Sequence, residues 1–374
     1  RCDTTKKSTC ESQTTSFTAA AWPDVPLDAI CTTSPAYCPS VKTSPTFFTR
    51  VRLSQVNTFI RNAANNGYDP VDTWDLTAAF PDPEDTTSTA TLWPATITHT
   101  GKGGTAITLP ATTLVPLMLH NRITGSTGTY GLRRPRLWKI LSETGAETDV
   151  TYSNTDCTPT DLPTDPATNT TRCFPVYYSS GTATPTLHWF EKYVVTKVEQ
   201  IDTSANAGGQ VNITGLDLSD RTTTSYDYTG GGAWHYDESM MTPKKYRTWG
   251  VWRGYGTVTT TLGTGSTPTV TEATYFRGMD GDWLVYNTTT KTASVTDSTG
   301  TTLTDSPELE GFTRETRQLD AVGGSPVTRS IKDPHVSAPT ADDGAIQARQ
   351  VDVATTNTRQ WPQPSGTRNT CTIY

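Results

Sequence analysis

From Val51 to Tyr374 no apolar pattern holds helical spacing for more than about two turns. Short stretches alternate apolar and polar residues instead, and Gly, Pro or Asn-Gly cuts each one off. Thr makes up about a fifth of the 374 residues, and 28 Gly and 25 Pro supply the breaks. A branched Cβ suits a pleated strand, whereas Gly and Pro suit turns. These features predict an all-β fold of twisted antiparallel hairpins with long loops and almost no helix. Ten Trp and fifteen Tyr give such strands large surfaces to bury, so an apolar content of only 33% does not make the chain disordered.

The densest aromatic stretch runs from Trp234 to Asp282 and carries Trp234, Tyr236, Tyr246, Trp249, Trp252 and Tyr255 among Arg, Lys and Gly. Such rings either lock strands together or stack on a partner such as a cell-surface glycan. Packing is the preferred reading, because few charges are interleaved with the rings.

In chain order, residues 1–46 are rich in Ser, Thr and Pro, contain four cysteines and show little periodicity, which predicts an irregular arm. Residues 47–374 form the β-rich remainder. Val51–Val56 and Val71–Leu76 flank Asn65-Asn66-Gly67 and should pair as a hairpin that ends at Phe80-Pro81-Asp82-Pro83. Pro116 within Thr113–Leu119 predicts an edge strand or a bulge. A hairpin is expected over 137–152 around Gly145, a second unit over 222–230 ending in an Asp/Gly turn, and further ones over 275–297 and 312–320. Trp189–Ile201 is the best candidate for one continuous core strand, and 333–344 is expected to be a loop. Hairpins this poor in apolar residues should stack edge to edge and lack a closed core of their own.

The net charge of −7 and a pI near 5.3, with no block of like charges, argue against nucleic acid and anionic membranes as partners. No apolar run approaches the roughly 18 residues of a membrane span. Seven cysteines in a Thr-rich chain suggest an oxidising compartment. Cys157 and Cys173 flank a Pro/Thr/Asp-rich loop and form the expected bridge; Cys2 with Cys10 and Cys31 with Cys38 are further pairs, with buried free thiols as the alternative. Cys371 is left over. An opening Arg1 without a signal-like apolar segment leads to the expectation of a processed product or fragment.

Catalytic signals are sparse. Asp280 and Asp282 around Gly281 are candidate calcium ligands, but the spaced carboxylates of a calcium loop are missing and a plain turn is preferred. On that reading Asn at both positions leaves the fold intact. The five histidines are scattered singly, with no pair at zinc-ligand spacing. Neither a Gly-x-Ser-x-Gly elbow nor a dinucleotide loop occurs. No cofactor and no enzymatic activity are expected.

Three motifs carry a family resemblance: Trp252-Arg253-Gly254-Tyr255-Gly256, Tyr275-Phe276-Arg277-Gly278-Met279-Asp280-Gly281-Asp282, and Glu308-Leu309-Glu310-Gly311-Phe312. They resemble the secreted RHS/YD-repeat proteins of filamentous actinobacteria, which are similar in build to the shells of insecticidal toxin complexes and of teneurins. Trp74-Asp75-Leu76, the Ser142–Gly145 turn, the Cys157–Cys173 loop and Lys192–Thr196 resemble the region preceding the regular repeats. The resemblance implies a secreted shell wall that encloses a C-terminal toxin, with the rest of the shell, other copies and the cargo as partners. The toxin-releasing motif and the toxin itself are absent from these residues. A second reading is an extracellular adhesin or carbohydrate-binding module, and a third is a secreted hydrolase.

Overall fold

The structure is a computed structural model that describes residues 52–85, 88–123, 131–178, 184–202, 221–344, 347–361 and 368–373, together with Val25. Cys2, Cys10, Cys31 and Cys38, and with them two of the expected bridges, lie outside the described residues. Among the described residues the fold is all-β, and its helical pieces are three-residue 3-10 turns at 166–168, 244–246 and 307–309. Seventeen strands join one large antiparallel sheet. The chain divides into two compact units: the first comprises Arg1–Thr151, Tyr178–His188 and Val198–Arg221, and the second comprises Tyr152–Tyr177, Trp189–Lys197 and Thr222–Tyr374.

The first unit opens with β1 (Gln55–Asn62) and β2 (Gly67–Ala79), paired antiparallel. Their turn works because Asn66 adopts φ 51° and the Asn65 carboxamide oxygen accepts the Gly67 N–H at 2.8 Å. Next, β3 (Trp93–Gly101) pairs with β2 and sets Trp74 opposite His99, whose rings stack at 4.8 Å. The short β4 (Ile107–Thr108) and β5 (Thr112–Arg122) also pair with β3. The register between β5 and β6 (Gly131–Leu141) slips at Val115/Pro116, where proline has no N–H to donate to the ladder. Gly145, at φ 90°, then turns the chain into β7 (Ala146–Tyr152), and Lys139 reaches across to Asp149 at 3.0 Å.

The expected single strand Trp189–Ile201 is instead two. After β8 (Cys173–Tyr178), β9 (Thr186–Glu191) and β10 (Val195–Asp202) are separated by residues 192–194. There the Lys192 N–H donates to Arg172 O at 2.9 Å and the Val194 carbonyl accepts the Ser153 N–H at 2.8 Å, so both groups leave the ladder.

The turn expected at the end of 222–230 is also absent. β11 runs unbroken from Arg221 to Tyr236 and pairs with β12 (Trp249–Leu262). Gly230 and Gly231, at φ 83° and 70°, absorb their unusual conformation as a bulge, and the strand continues because Trp234 and Tyr236 beyond it are buried. A Cβ on Gly232 would lie 2.7 Å from the Trp252 ring, so the close approach of strand and indole requires glycine.

From β12 the ladder passes to β13 (Thr269–Tyr275). The 275–297 region then forms two small hairpins, β14 (Trp283–Val285) with β15 (Thr289–Thr290), and β16 (Ser294–Thr296) with β17 (Thr302–Thr304). The main ladder resumes with β18 (Thr313–Leu319), which pairs with β13, and β19 (Pro326–Val336), which takes in the first residues of the expected 333–344 loop. After β20 (Ala341–Asp342) and β21 (Gln347–Ala348), β22 (Val351–Gln360) pairs with β19, and β23 (Arg368–Ile373) pairs with β22. Contrary to the expectation of no closed core, this unit holds a small apolar cluster of Phe276, Val295 and Leu309, backed by Leu303, Phe312, Val336 and Val351. The turns at 276–312 fold back far enough to enclose it.

A buried cation fixes that small-hairpin region to the ladder. Arg314, 2% exposed, pairs with Asp297 at 2.6 Å in the β16–β17 turn, with Asp333 on β19, and with Lys332 O at 2.8 Å. Asp297 also accepts from Thr299 N at 2.8 Å and Thr301 N at 3.2 Å, and Asp333 accepts from the Thr355 hydroxyl on β22. Burial pushes the Asp297 carboxyl upward, but the Thr299 hydroxyl and N–H and the Arg314 pair outweigh it and leave it below the usual value. At Asp333 the Thr355 hydroxyl, followed by Arg314, lowers the carboxyl. Removing the guanidinium strands the buried Asp297 carboxylate, whereas the half-exposed Asp333 keeps water and the Thr355 hydroxyl, so Arg314→Ala is expected to lower stability by about 3 kcal/mol in urea denaturation. Both carboxyls titrate lower in the folded state than in the unfolded state. Their stabilisation is therefore complete above the unfolded carboxyl range and is lost as pH falls through the depressed values, and acid titration of Asp297→Asn should show a shallower loss than the parent.

Candidate functional site

The six aromatics of the 234–255 stretch all belong to the second unit, and its strand pairing brings most of them together. β11 and β12 place Trp234 opposite Trp252, Tyr236 opposite Trp249 and Gly232 opposite Tyr255. Trp234, 2% exposed, meets the edge of Trp252 at 4.8 Å and stacks on Phe174 at 4.5 Å, and Phe174 in turn touches Phe190 at 6.0 Å. Trp252 meets Tyr255 at 5.3 Å, and Tyr255 meets Tyr228 at 4.9 Å. On the other side Tyr236 contacts Trp249 and Tyr286, both at 5.0 Å. Tyr246 stands apart, tilted against Tyr177 at 5.4 Å with the Lys245 ammonium over its ring. Ring meets ring along this ladder, so it works as packing between strands rather than as an open stacking platform.

The polar edges of the ladder are tied off. Trp249 Nε1 donates to Trp283 O at 2.6 Å, and the Tyr228 hydroxyl donates to Val195 O at 2.6 Å. Trp234 Nε1 donates to Thr171 O at 2.8 Å, beside a second bond from Gly232 N to Thr170 O at 2.7 Å. Both acceptors lie on the loop between Cys157 and Cys173, which a disulfide closes with its Cα atoms 6.2 Å apart. The loop is thus covalently closed at its base and clamped on β11 close to Cys173. Closing a loop of this length contributes about 3 kcal/mol in the chain-entropy estimate. Cys371 is free and exposed on β23.

Behind the disulfide lies a charged group that the sequence did not mark. Glu191, at the end of β9 and followed by Lys192, is 3% exposed. One carboxylate oxygen lies 3.2 Å from Cys173 Sγ and accepts the Asp156 N–H at 3.2 Å, and the other is 3.5 Å from Arg172 Nε. Arg172 spreads its guanidinium over Asp156, Asn154 O at 2.8 Å and the Tyr255 hydroxyl at 3.3 Å. Burial dominates at Glu191 and pushes its carboxyl up to about 7 against the pull of Arg172.

Asp280 and Asp282 do not converge on a cation site. The Asp280 carboxylate accepts Ala293 N at 2.9 Å, while Asp282, buried, accepts Tyr236 N at 3.0 Å and pairs with the Lys291 ammonium at 2.6 Å. Nearby Asp305, 1% exposed, accepts the N–H groups of Arg277 at 2.8 Å and Gly278 at 2.7 Å. Among the described residues no group of three or more His, Cys, Asp or Glu is placed to hold a metal, and no helix is long and apolar enough to cross a membrane. Asp282 ties its turn to β11 through the Tyr236 N–H and to Lys291 through a buried ion pair.

No protein-family model matches the chain, and no curated protein matches it. Two solved structures are similar to it: the crystal structure of TcdB2-TccC3 without its hypervariable C-terminal region, and the Photorhabdus luminescens Tc holotoxin pore carrying a TccC3 substitution. Each is 12% identical over 83% of this chain, with a TM-score of 0.32. The chain spans only 14% and 19% of their respective lengths.

Three outcomes follow from these contacts. Glu191 titrates higher folded than unfolded, so the stability it contributes is complete below the unfolded carboxyl value and is lost as pH rises through about 7. Melting curves from pH 4 to 8 should show Glu191→Gln gaining on the parent by on the order of 3 kcal/mol across that window. Asp282→Asn strands the Lys291 ammonium and should cost about 3 kcal/mol in chemical denaturation. Asp280→Asn keeps its acceptor oxygen and should stay within about 0.5 kcal/mol of the parent.

Proposed function

We propose that this chain is a wall segment of a secreted RHS/YD-type shell, with a mechanical and non-enzymatic role in sheltering a toxin cargo. The observation that carries the reading is the composition of one face of the ladder formed by β12, β13, β18, β19 and β22. Two adjacent cross-strand rows on that face read Thr260, Thr271, Gln318, Thr328, Gln360 and Val258, Ala273, Thr316, Ser330, Thr358. All ten side chains are uncharged, and none is fully buried. Eight of them carry hydroxyls or amides, so these rows offer a chain lying against them neither a large apolar patch nor a fixed charge, and the charge on that face begins one row further along β19, at Lys332; such rows suit a wall that holds cargo without binding it.

The occupied faces of the aromatic ladder add support, since rings packed on one another reinforce a wall and leave little area for sugar stacking. The disulfide is consistent with an oxidising, extracellular setting. The partners on this reading are the rest of the shell and the cargo. Trypsin treatment of the full-length gene product should leave a C-terminal passenger intact while the same passenger added in trans is digested. Equal digestion of both, together with binding of this chain on a glycan array, would replace the shell with the adhesin reading.

A further inference from the structure

The disulfide, the cleft beside it and the carboxyl behind it form an asymmetric arrangement that structural cross-linking does not need. Cys173 is fully buried, with its sulfur 3.2 Å from the Glu191 carboxylate. Cys157 is also shielded by the fold, at 4% exposure, but it lines a cleft of about 270 Å³ inside its own loop, to which Leu162, Pro163 and Thr168 also contribute. Cys173 does not line this cleft. The two sulfurs therefore differ in access and in what stands behind them. Asp156, Asp161 and Asp165 also line the cleft, which gives it a negative field.

We propose that Cys157–Cys173 is a reducible clasp, in which a small neutral or cationic thiol entering the cleft attacks Cys157 and Glu191 protonates the departing Cys173. The thiolate forms a new S–S bond to Cys157 as the Cys157–Cys173 bond breaks, and the bonding electron pair goes to Cys173. The Glu191 carboxyl gives its proton to that sulfur and becomes a carboxylate facing Arg172. A second thiol then displaces the first from Cys157, so two thiols are oxidised to one external disulfide and the protein gains two thiols. The ionisable groups facing Glu191 are Asp156, just before the loop, and Arg172 within it, and Arg172 in turn bonds the Tyr255 hydroxyl on β12. Below about pH 7 burial keeps the proton on Glu191. Opening the clasp would leave the loop held on β11 by its backbone contacts at Thr170 and Thr171, so reduction loosens the cover of Trp234 without removing it.

The experiment uses the oxidised full chain carrying Cys371→Ser, treated at pH 6 and low salt with cysteamine, 2-mercaptoethanol or thioglycolate, then alkylated and mapped by mass spectrometry. The thiol adduct is expected on Cys157 and the first alkylated thiol on Cys173. With each rate divided by that thiol's rate on a small uncharged disulfide at the same pH, which removes its own thiolate fraction and nucleophilicity, cysteamine should react fastest and thioglycolate slowest, with a spread on the order of tenfold that shrinks with added salt. Glu191→Gln should slow the reaction on the order of tenfold at pH 6 and leave it nearly unchanged at pH 9, where the parent carboxyl has no proton to give. An adduct on Cys173, or a rate independent of thiol concentration and equal to that of global unfolding, would overturn the proposal. If Glu191→Gln fails to fold, adduct position and thiol-charge order on the parent decide the matter alone.

Discussion

The second unit depends on how Trp234 is buried. An indole removed from water stabilises the fold through its area, but its N–H must find an acceptor or the gain is largely lost. The acceptor is the Thr171 carbonyl, on a loop that comes this close because Gly232 lets Thr170 approach the strand and that the Cys157–Cys173 disulfide closes. Disulfide, glycine and tryptophan thus form one device. The remaining rings extend it along the β11–β12 pair, each edge tied to a carbonyl or to another ring.

Charge holds the rest of this unit where apolar residues are few. Arg314 with Asp297 and Asp333 joins the β16–β17 turn to β18 and β19, while Lys291 with Asp282, and Asp305 under the 277–278 backbone, each join one loop to another. Such pairs contribute less net stability than an apolar core of equal volume, because desolvation offsets most of the attraction. Their worth is geometric: a carboxylate that receives several N–H groups accepts only one arrangement of the turn around it. A sheet with Thr, Ser and Gln across one face can therefore be ordered without a thick apolar layer beneath it.

Much of the site was legible because strand periodicity and turn chemistry are local. The β1–β2 hairpin follows from Asn65-Asn66-Gly67, the bulge at Pro116 from the missing N–H, and the Cys157–Cys173 loop from its Pro and Asp content. Glu191 was hidden because a carboxylate in a strand ordinarily points to water, and nothing beside it in the chain announces that Cys173 and Arg172 will close over it. Phe174 was missed for the same reason, and Phe190, placed in a core strand, could not be assigned its partner, since both lie far in sequence from Trp234. Asp282 was read as a turn because Gly281 precedes it; its burial depends on Lys291 and on the Tyr236 backbone.

The sequence by itself determined the fold class, the positions of most turns and the aromatic set available for packing, since these rest on conformational preference and on alternation along a strand. Only the tertiary structure decided that β11 runs through its glycines, that Trp189–Ile201 breaks in two, and which carboxylates are buried. Those outcomes turn on a few contacts between residues distant in the chain, among them Thr170 on Gly232, Ser153 with Val194 and Cys173 on Glu191, and pairwise contact energies of that kind override local propensity wherever a strand meets a loop.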